Sequence, residues 1–190
     1  NGKRCTDQLC LSNPEVLKIC IESMRKAMRE NPDFMIYSME QLDNMQPCQC
    51  QCEDCQAIIS RYGGDSGIMV WFVNQVADAI KDEFPDKYVG TFAYRYTRHA
   101  PTGIVPRDNV VIRLCSIECC LLHDFEGCEM NQPFMKDLQD WSAIAKNLYI
   151  WDYATDFSYY CLPVANFKLL QPKIKTFCDH NAMGMLEQGD

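Results

Sequence analysis

Long apolar runs are missing from this sequence. Its longest apolar clusters, such as the one at 68–73, fall well short of the roughly 18 residues that a membrane-spanning helix needs, so we expect no membrane span. Low-complexity tracts and internal repeats are missing as well. Since 47% of the residues are hydrophobic and 11% are aromatic, an intrinsically disordered chain is excluded.

Basic residues are scarce. The chain has 18 Lys and Arg against 26 Asp and Glu, which gives a formal net charge of -8. An acidic chain gains nothing from the release of counterions on a phosphate backbone, so we expect no nucleic-acid partner. The sequence also contains no GxGxxG, P-loop or HExxH motif, so it carries no signature of nucleotide binding or of a zinc protease.

Short apolar segments alternate with amphipathic stretches along the chain. The segments predicted to be strands are 34–39, 88–94, 110–115, 148–152 and 183–187. Helices are predicted after the cap at Asn13, at about 67–84, at about 133–146 and around Pro172. We expect an irregular segment at 40–65 and no helix in the connection that contains Pro101 and Pro106. Such alternation is typical of an α/β fold with a parallel sheet.

The length limits the architecture. The 190 residues fit one domain, 1–190. A (β/α)8 barrel typically needs about 250 residues, so five strands form either an open sheet or most of a barrel whose first strands lie upstream. The chain begins at Asn1 and ends at Asp190, directly after an apolar segment, and we expect it to be a fragment of a longer protein.

A polar or aromatic cluster follows each predicted strand. Because ligands bind at the carboxyl ends of the strands in α/β folds, these clusters predict one shared site. The clusters are Ser38 with Glu40, Tyr94 with Arg95, Ser116 with Glu118, Asp152 with Tyr153, and Glu187 with Gln188.

Two glutamates at these strand ends are the predicted catalytic residues. One strand separates Glu118 from Glu187, which places their backbones about 9–10 Å apart. Side chains that converge from there reach a separation of about 5–9 Å, the range in which glycosidases protonate the glycosidic oxygen and attack C1 or activate water. Asp152, on the intervening strand, is the reserve candidate. Alternatively, each glutamate is a capping group or the ion-pair partner of an arginine such as Arg95 or Arg113.

Aromatic and polar side chains near the same strand ends are the predicted substrate-binding residues. The apolar faces of sugar rings stack on aromatic rings, and sugar hydroxyls exchange hydrogen bonds with Asp, Arg and Tyr. Packing of loops over the sheet is the alternative role for the aromatic residues. The predicted set is Tyr94, Arg95, Arg113, Trp151, Asp152 and Tyr153.

Thirteen cysteines are many for this length, and the odd count means that not all of them can pair within one chain. The densest spacing is Cys48-x-Cys50-x-Cys52-x-x-Cys55. Thiolates at Cys50, Cys52 and Cys55 could bind a structural Zn²⁺, and disulfides that brace the loop are the alternative. The predicted candidates for a further ligand are Cys119, Cys120 and Cys128.

Several segments resemble a domain family that is common in glycan-degrading proteins of Bacteroidetes. They are QLCLSNPEV at 8–16, CQCEDC at 50–55, FAYRYTR at 92–98, PRDNVV at 106–111, RLCSIECC at 113–120, LYIWDY at 148–153 and EQGD at 187–190. The family was long a domain of unknown function, and some members are retaining endo-β-N-acetylglucosaminidases that release complex N-glycans. The resemblance covers essentially the whole chain. It implies an α/β fold of the (β/α)8 TIM-barrel-like type, with a partial barrel of about five βα units in this chain.

The predicted function is therefore a retaining glycoside hydrolase domain that acts on N-acetylglucosamine-containing glycans, with Glu118 and Glu187 as its carboxylate pair. This chemistry needs no metal or organic cofactor, and its partner is a glycan. The resemblance implies a secreted, periplasmic or cell-surface location. Two alternatives stay open, namely a carbohydrate-binding barrel without catalysis and a structural module that binds metal through the cysteine cluster.

Overall fold

The computed structural model describes residues 8–44, 49–161 and 163–189, and five strands and five α-helices lie within them. The strands are β1 (Ile36–Ser38), β2 (Tyr88–Ala93), β3 (Val110–Cys115), β4 (Asn147–Tyr153) and β5 (Ala182–Gln188). The helices are α1 (Pro14–Glu30), α2 (Glu53–Arg61), α3 (Asp65–Ile80), α4 (Gln132–Ile144) and α5 (Phe167–Asp179). The bounds of β3 are those predicted from the sequence, and every other predicted strand overlaps its observed counterpart.

All five strands are parallel and form one sheet in the order β1-β2-β3-β4-β5. The sheet is curled into a half-barrel. Within the described residues, β1 and β5 each have one neighbour and do not pair with each other, so the sheet is open. The predicted (β/α)8 TIM-barrel-like fold is therefore wrong for this chain, because a barrel requires the sheet to close on itself. The α/β class and the parallel arrangement are confirmed.

The connections also differ from a repeat of about five βα units. Two helices, α2 and α3, separate β1 from β2. In contrast, β2 leads to β3 through a single 3-10 helix, Arg95–Thr97, and residues 94–109, all of which the structure describes, contain no α-helix. This confirms the expectation for the connection with Pro101 and Pro106, since proline lacks the N–H that a helix interior needs.

Local sequence signals explain where α1 begins. The Asn13 side chain accepts a hydrogen bond from the Glu15 amide at 2.9 Å, and Pro14 occupies the first helical position. The prediction of an irregular segment at 40–65 is wrong for its second half, which contains α2. The dense cysteine spacing in this segment conceals the helical periodicity of its apolar residues.

The helices form the main core with one face of the sheet. Helix α3 contacts α1, α2, β2 and β3 and is buried along most of its length. Val89, Ile112 and Ile150 from three neighbouring strands are fully buried in this core. None of the helices in the described residues is long and apolar enough to cross a membrane.

A smaller apolar cluster lies near the carboxyl ends of β2, β3 and β4. Tyr94, Cys115 and Tyr153 are buried in it, and Phe92 and Trp151 pack against them. Because successive side chains of a strand point to opposite faces, these residues project from the face opposite the main core. The candidate site forms on this face.

Candidate functional site

A cavity of about 470 Å³, here called the edge pocket, opens at the carboxyl ends of the strands. Its volume falls within the range of about 300–1,000 Å³ that is typical of small-ligand sites. Five of its eleven lining residues are aromatic. The aromatic lining residues are Phe92, Tyr94, Trp151, Tyr153 and Phe157.

The register of the sheet explains why these aromatic residues meet. Cys115 is paired with Trp151 across β3 and β4, and Tyr153 is paired with Gln188 across β4 and β5. Paired residues of parallel strands point to the same face, so their side chains form adjacent rows. The rings of Phe92 and Trp151 lie edge to face with their centroids 5.4 Å apart. The result is a continuous apolar wall on one side of the edge pocket.

Polar groups complete the edge pocket. The Trp151 indole donates a hydrogen bond to Oε1 of Gln188 at 2.8 Å. Gln41 is buried and donates a hydrogen bond to the Tyr94 carbonyl at 3.2 Å. Gln41, Asp43 and Gln188 all line the cavity, so amide and carboxylate groups face the same space as the aromatic rings.

Arg95 supplies a positive charge to this pocket from an unusual backbone conformation. Its φ is 51°, in the left-handed region that non-glycine residues seldom adopt. The Arg95 guanidinium lies 5.0 Å from the centre of the Tyr94 ring, and its Nε donates a hydrogen bond to the Tyr94 hydroxyl at 2.7 Å. Burial raises the pKa of Tyr94, and the Arg95 contact opposes this effect. The hydroxyl therefore stays protonated, and its hydrogen bond to Asp43 raises the pKa of Tyr94 further.

Arg113, a predicted substrate-binding residue, lies one layer deeper along the strands. Its Nη1 donates hydrogen bonds to Oγ of Ser38 at 2.8 Å and to Oε1 of Glu40 at 2.5 Å. Burial raises the pKa of Glu40, while Ser38 and Arg113 lower it. Gly90 leaves room for this pair, since a Cβ there would lie 3.2 Å from Nη2 of Arg113. Arg113 is therefore held in an internal ion pair.

Asp152, the reserve catalytic candidate, is fully buried beneath the edge of the sheet. Its carboxylate forms an ion pair with the ammonium group of Lys173 in α5 and accepts a hydrogen bond from the Ser116 hydroxyl. Lys173 is also buried. Sequence reasoning missed Lys173, because a lysine in an amphipathic helix carries no signal of burial.

Glu187, one of the two predicted catalytic glutamates, is the register partner of Asp152 across β4 and β5. Its pKa is raised to about 7, first by partial burial and then by the charge of Asp152 and a hydrogen bond between the two carboxyl groups. The nearby Lys173 ammonium opposes the shift. A carboxyl group with such a pKa can donate or accept a proton near neutral pH.

Glu118, the other predicted catalytic glutamate, forms an ion pair with Arg98, and its side chain is 46% exposed. Arg98 is buried and also donates a hydrogen bond from Nε to Oδ2 of Asp137 at 2.6 Å. The second carboxylate oxygen of Asp137 lies 2.6 Å from Nδ1 of His99. Glu118 is thus the exposed member of a charge network that also contains Arg98, Asp137 and His99.

The two charge networks are neighbours. Burial raises the pKa of Cys119 to about 12. Charges from both networks also change the pKa of this thiol. They are Asp152 and Lys173 in one network and Arg98 and Glu118 in the other. Glu118 and Glu187 therefore lie at the same end of the sheet but have different partners. Neither of them is among the residues that line the edge pocket.

The structure brings four of the predicted substrate-binding residues together around the edge pocket, namely Tyr94, Arg95, Trp151 and Tyr153. It holds Arg113 and Asp152 in ion pairs outside that lining. The sequence prediction missed further lining residues. Phe92 could have been found, because it lies two positions before Tyr94 in the same strand. Gln188 was predicted as part of a strand-end cluster, and Gln41, Asp43, Cys115, Ile117 and Phe157 were not in the predicted set.

Two groups of potential metal ligands occur in the described residues. In the first, Cys50, Cys52 and Cys55 meet Cys10, and the four sulfurs lie within 4.8 Å of one another. The fourth sulfur is thus Cys10, which the sequence prediction did not consider. Cys48 lies outside the described residues. Of the three cysteines expected to complete this set, Cys119 joins neither group, whereas Cys120 and Cys128 form the second group with His123.

Comparison with known proteins identifies one family. The model of a family described as "Domain of unknown function (DUF4838)" matches residues 1–190. No curated protein matches the chain.

Proposed function

We propose that this chain, which belongs to the DUF4838 family over residues 1–190, binds a glycan in its edge pocket. The observation that carries the proposal is the wall formed by Phe92, Trp151 and Tyr153, which faces the polar groups of Asp43 and Arg95. Apolar faces of sugar rings stack on such a wall, while hydroxyl groups pair with the charged and amide side chains. Recognition of this kind needs no metal or organic cofactor.

The lining fits N-acetylglucosamine-containing glycans in particular. An acetamido group presents a methyl group, an N–H donor and a carbonyl acceptor within a few ångströms. The methyl group can contact an aromatic ring, the N–H can donate to Asp43, and the carbonyl can accept from Arg95. A plain hexose offers only hydroxyl groups at these positions and leaves the apolar wall less covered.

Titration calorimetry with the β1,4-linked trimer of N-acetylglucosamine tests the proposal. We expect binding to the wild-type chain and about a tenfold loss of affinity in Trp151→Ala, since an aromatic stacking contact contributes about 0.5–1.5 kcal/mol. Phe34→Ala is the control, because Phe34 is 61% exposed and precedes β1 at the opposite end of the sheet. Absence of binding, or equal affinity in wild type and Trp151→Ala, would contradict the proposal.

Hydrolysis of the bound glycan is a second candidate function, favoured by the pKa of Glu187 of about 7. In a retaining mechanism Glu187 would protonate the glycosidic oxygen while Glu118 attacked C1, and water would then release the sugar from Glu118 with Glu187 acting as the base. The raised pKa of Glu187 and the ion pair of Glu118 with Arg98 resemble the division of roles between acid and nucleophile in glycosidases. Catalysis would further require the sugar to pass around the edge of the sheet, because Glu187 and its partner Asp152 point to the face opposite Trp151, Tyr153 and Gln188.

Glycan release by the full-length protein distinguishes the two candidates. We expect Glu118→Gln and Glu187→Gln each to abolish release while the circular dichroism spectrum stays unchanged. Glu129→Gln is a matched control, since Glu129 is an exposed glutamate outside both charge networks. Hydrolysis that persists in both single variants would exclude this pair and leave binding as the function.

A further inference from the structure

We infer that Cys10, Cys50, Cys52 and Cys55 form a structural zinc site that ties the start of α1 to the segment after β1. The inference concerns a different part of the molecule from the edge pocket and does not depend on glycan binding. It extends the sequence-based set of three thiols by a fourth that lies 40 residues away from Cys50 in the chain.

The distances between the sulfurs match tetrahedral coordination. The Sγ atom of Cys10 lies 3.7 Å from that of Cys52 and 3.8 Å from that of Cys55. A zinc ion holds thiolates at about 2.3 Å, and the edge of a tetrahedron of that radius is about 3.8 Å. All four sulfurs lie within 4.8 Å of one another, so one ion can reach each of them after small side-chain adjustments.

The same distances do not indicate a disulfide. A disulfide bond is about 2.05 Å long and joins one sulfur to one partner. Cys10 instead lies nearly equidistant from two cysteines, and each of the cysteines in the described residues is a free thiol. Similar distances from one sulfur to several others are typical of metal coordination and not of a single S–S bond.

Polar groups around the sulfurs suit thiolate ligands. The Ser12 hydroxyl lies 3.4 Å from Sγ of Cys10, 3.5 Å from that of Cys52 and 3.2 Å from that of Cys55. The amide of Cys55 donates a hydrogen bond to Sγ of Cys52 at 3.5 Å, at the amino terminus of α2. Hydrogen bonds of this kind orient metal ligands and share their negative charge.

Burial indicates a structural and not a catalytic role. Cys55 is fully buried, and Cys10, Cys50 and Cys52 are partly buried and pack against the main core. With four protein ligands the coordination sphere of a zinc ion is complete, which leaves no position for water or substrate. Binding requires no oxidant, because Zn²⁺ displaces four thiol protons and the electron count of each sulfur is unchanged.

The site connects two pieces of chain, one of which continues from residues that line the edge pocket. Cys10 precedes α1, Cys50 and Cys52 lead into α2, and Cys55 lies in its first turn. The segment between β1 and Cys50 contains Gln41 and Asp43, which line the pocket.

The test is metal analysis of the 190-residue chain purified under reducing conditions with zinc supplied during expression. We expect about one zinc ion per chain in wild type and its loss in Cys10→Ser and Cys52→Ser. Cys161→Ser, at an exposed cysteine outside both groups, and Cys128→Ser, in the second group, should retain it. Replacement by Co²⁺ should give the near-ultraviolet absorption of thiolate-to-cobalt charge transfer and the visible bands of a tetrahedral ion.

Two results would overturn the inference. One is a folded, reduced wild-type chain that contains no zinc and gives no thiolate–cobalt absorption. The other is zinc that disappears in Cys128→Ser but stays in Cys52→Ser, which would assign the metal to Cys120, His123 and Cys128. Because Cys10 lies in a short segment before α1, its variant should fold even if the Cys52 variant does not.

Discussion

Asp152 and Glu187 are partners across β4 and β5, yet they have contrasting environments. Asp152 is fully buried and ion-paired with Lys173, whereas Glu187 lies at the solvent-exposed edge and has a pKa of about 7. The negative charge of Asp152 disfavours ionisation of Glu187. The pair therefore links the stability of the strand ends to pH.

The stability of the chain should depend on Glu187 between about pH 4.5 and 7. The pKa of Glu187 rises from its ordinary value of 4.5 to about 7 in the folded state, so the folded state holds a proton that the unfolded state has released. The free energy of unfolding should therefore fall as the pH rises through this window and level off above it. Urea denaturation at a series of pH values measures the effect.

Glu187→Gln should remove this dependence, because glutamine has the shape of the protonated acid but does not titrate. We expect the variant to match wild type near pH 4.5 and to be more stable than wild type at pH 8. Glu129→Gln, at an exposed position, is the control that should follow wild type throughout. A wild-type chain whose stability rose from pH 5 to pH 8 relative to Glu187→Gln would contradict the raised pKa.

Lys173→Met should destabilise the chain strongly. The side chains of Lys173 and Asp152 are 5% and 1% exposed, so loss of the ammonium group leaves a buried carboxylate without its counter-ion. Removing one member of such a pair costs about 3–5 kcal/mol. Lys175→Met, two residues away on the same helix, changes a side chain that is 72% exposed and should cost far less. Chemical denaturation measures both, and equal costs would refute the argument.

Two effects of Arg95 can be measured separately, namely the cost of its left-handed backbone conformation and the contribution of its charge to binding. Alanine and glycine both remove the guanidinium, but only glycine adopts the φ of 51° without a Cβ penalty. We expect Arg95→Gly to be about 1 kcal/mol more stable than Arg95→Ala, while both bind the N-acetylglucosamine trimer more weakly than wild type. Stability is measured by thermal unfolding and affinity by calorimetry. An alanine variant as stable as the glycine variant would show that the position is not strained.

Removal of zinc should increase the rate of hydrogen exchange in α2 more than in α3. Helix α2 has nine residues, which is too short to be stable alone, and its first turn contains Cys55 of the cysteine site. Helix α3 is buried along most of its length and should keep its protection. Hydrogen exchange with and without a chelator measures the difference, and α4 is the internal control. Unchanged exchange in α2 after proven metal removal would show that the ion does not support this helix.

The sequence predicted those features that depend on local patterns. The bounds of β3 were correct because a mainly apolar segment, interrupted only by Arg113, is flanked by polar residues. The aromatic residues at 94, 151 and 153 were placed correctly at one edge because parallel strands share a direction. Helix α2 was missed because its first turn contains the cysteine motif. The TIM-barrel-like fold, with a partial barrel of about five βα units, was predicted wrongly because it depends on long-range strand pairing and connections that no local pattern in this chain encodes.

Long-range partners were the least predictable part of the site. Nothing in the sequence near Cys10 connects it to Cys50, and nothing near Lys173 connects it to Asp152. Each of these contacts results from the packing of whole helices against the sheet. The roles of Glu118 and Glu187 remain predictions, since neither glutamate lines the edge pocket.

The most direct test of glycan binding in the edge pocket is the response of the three tryptophan indole signals in a ¹⁵N-¹H NMR spectrum during titration with the N-acetylglucosamine trimer. Trp151 lines the pocket and donates to Gln188, whereas Trp141 is buried and donates to the Arg98 carbonyl. Trp71 lies on α3. We predict that the Trp151 signal shifts and saturates while the other two stay in place. A Trp151 signal that does not move, or equal shifts of all three signals, would contradict the account.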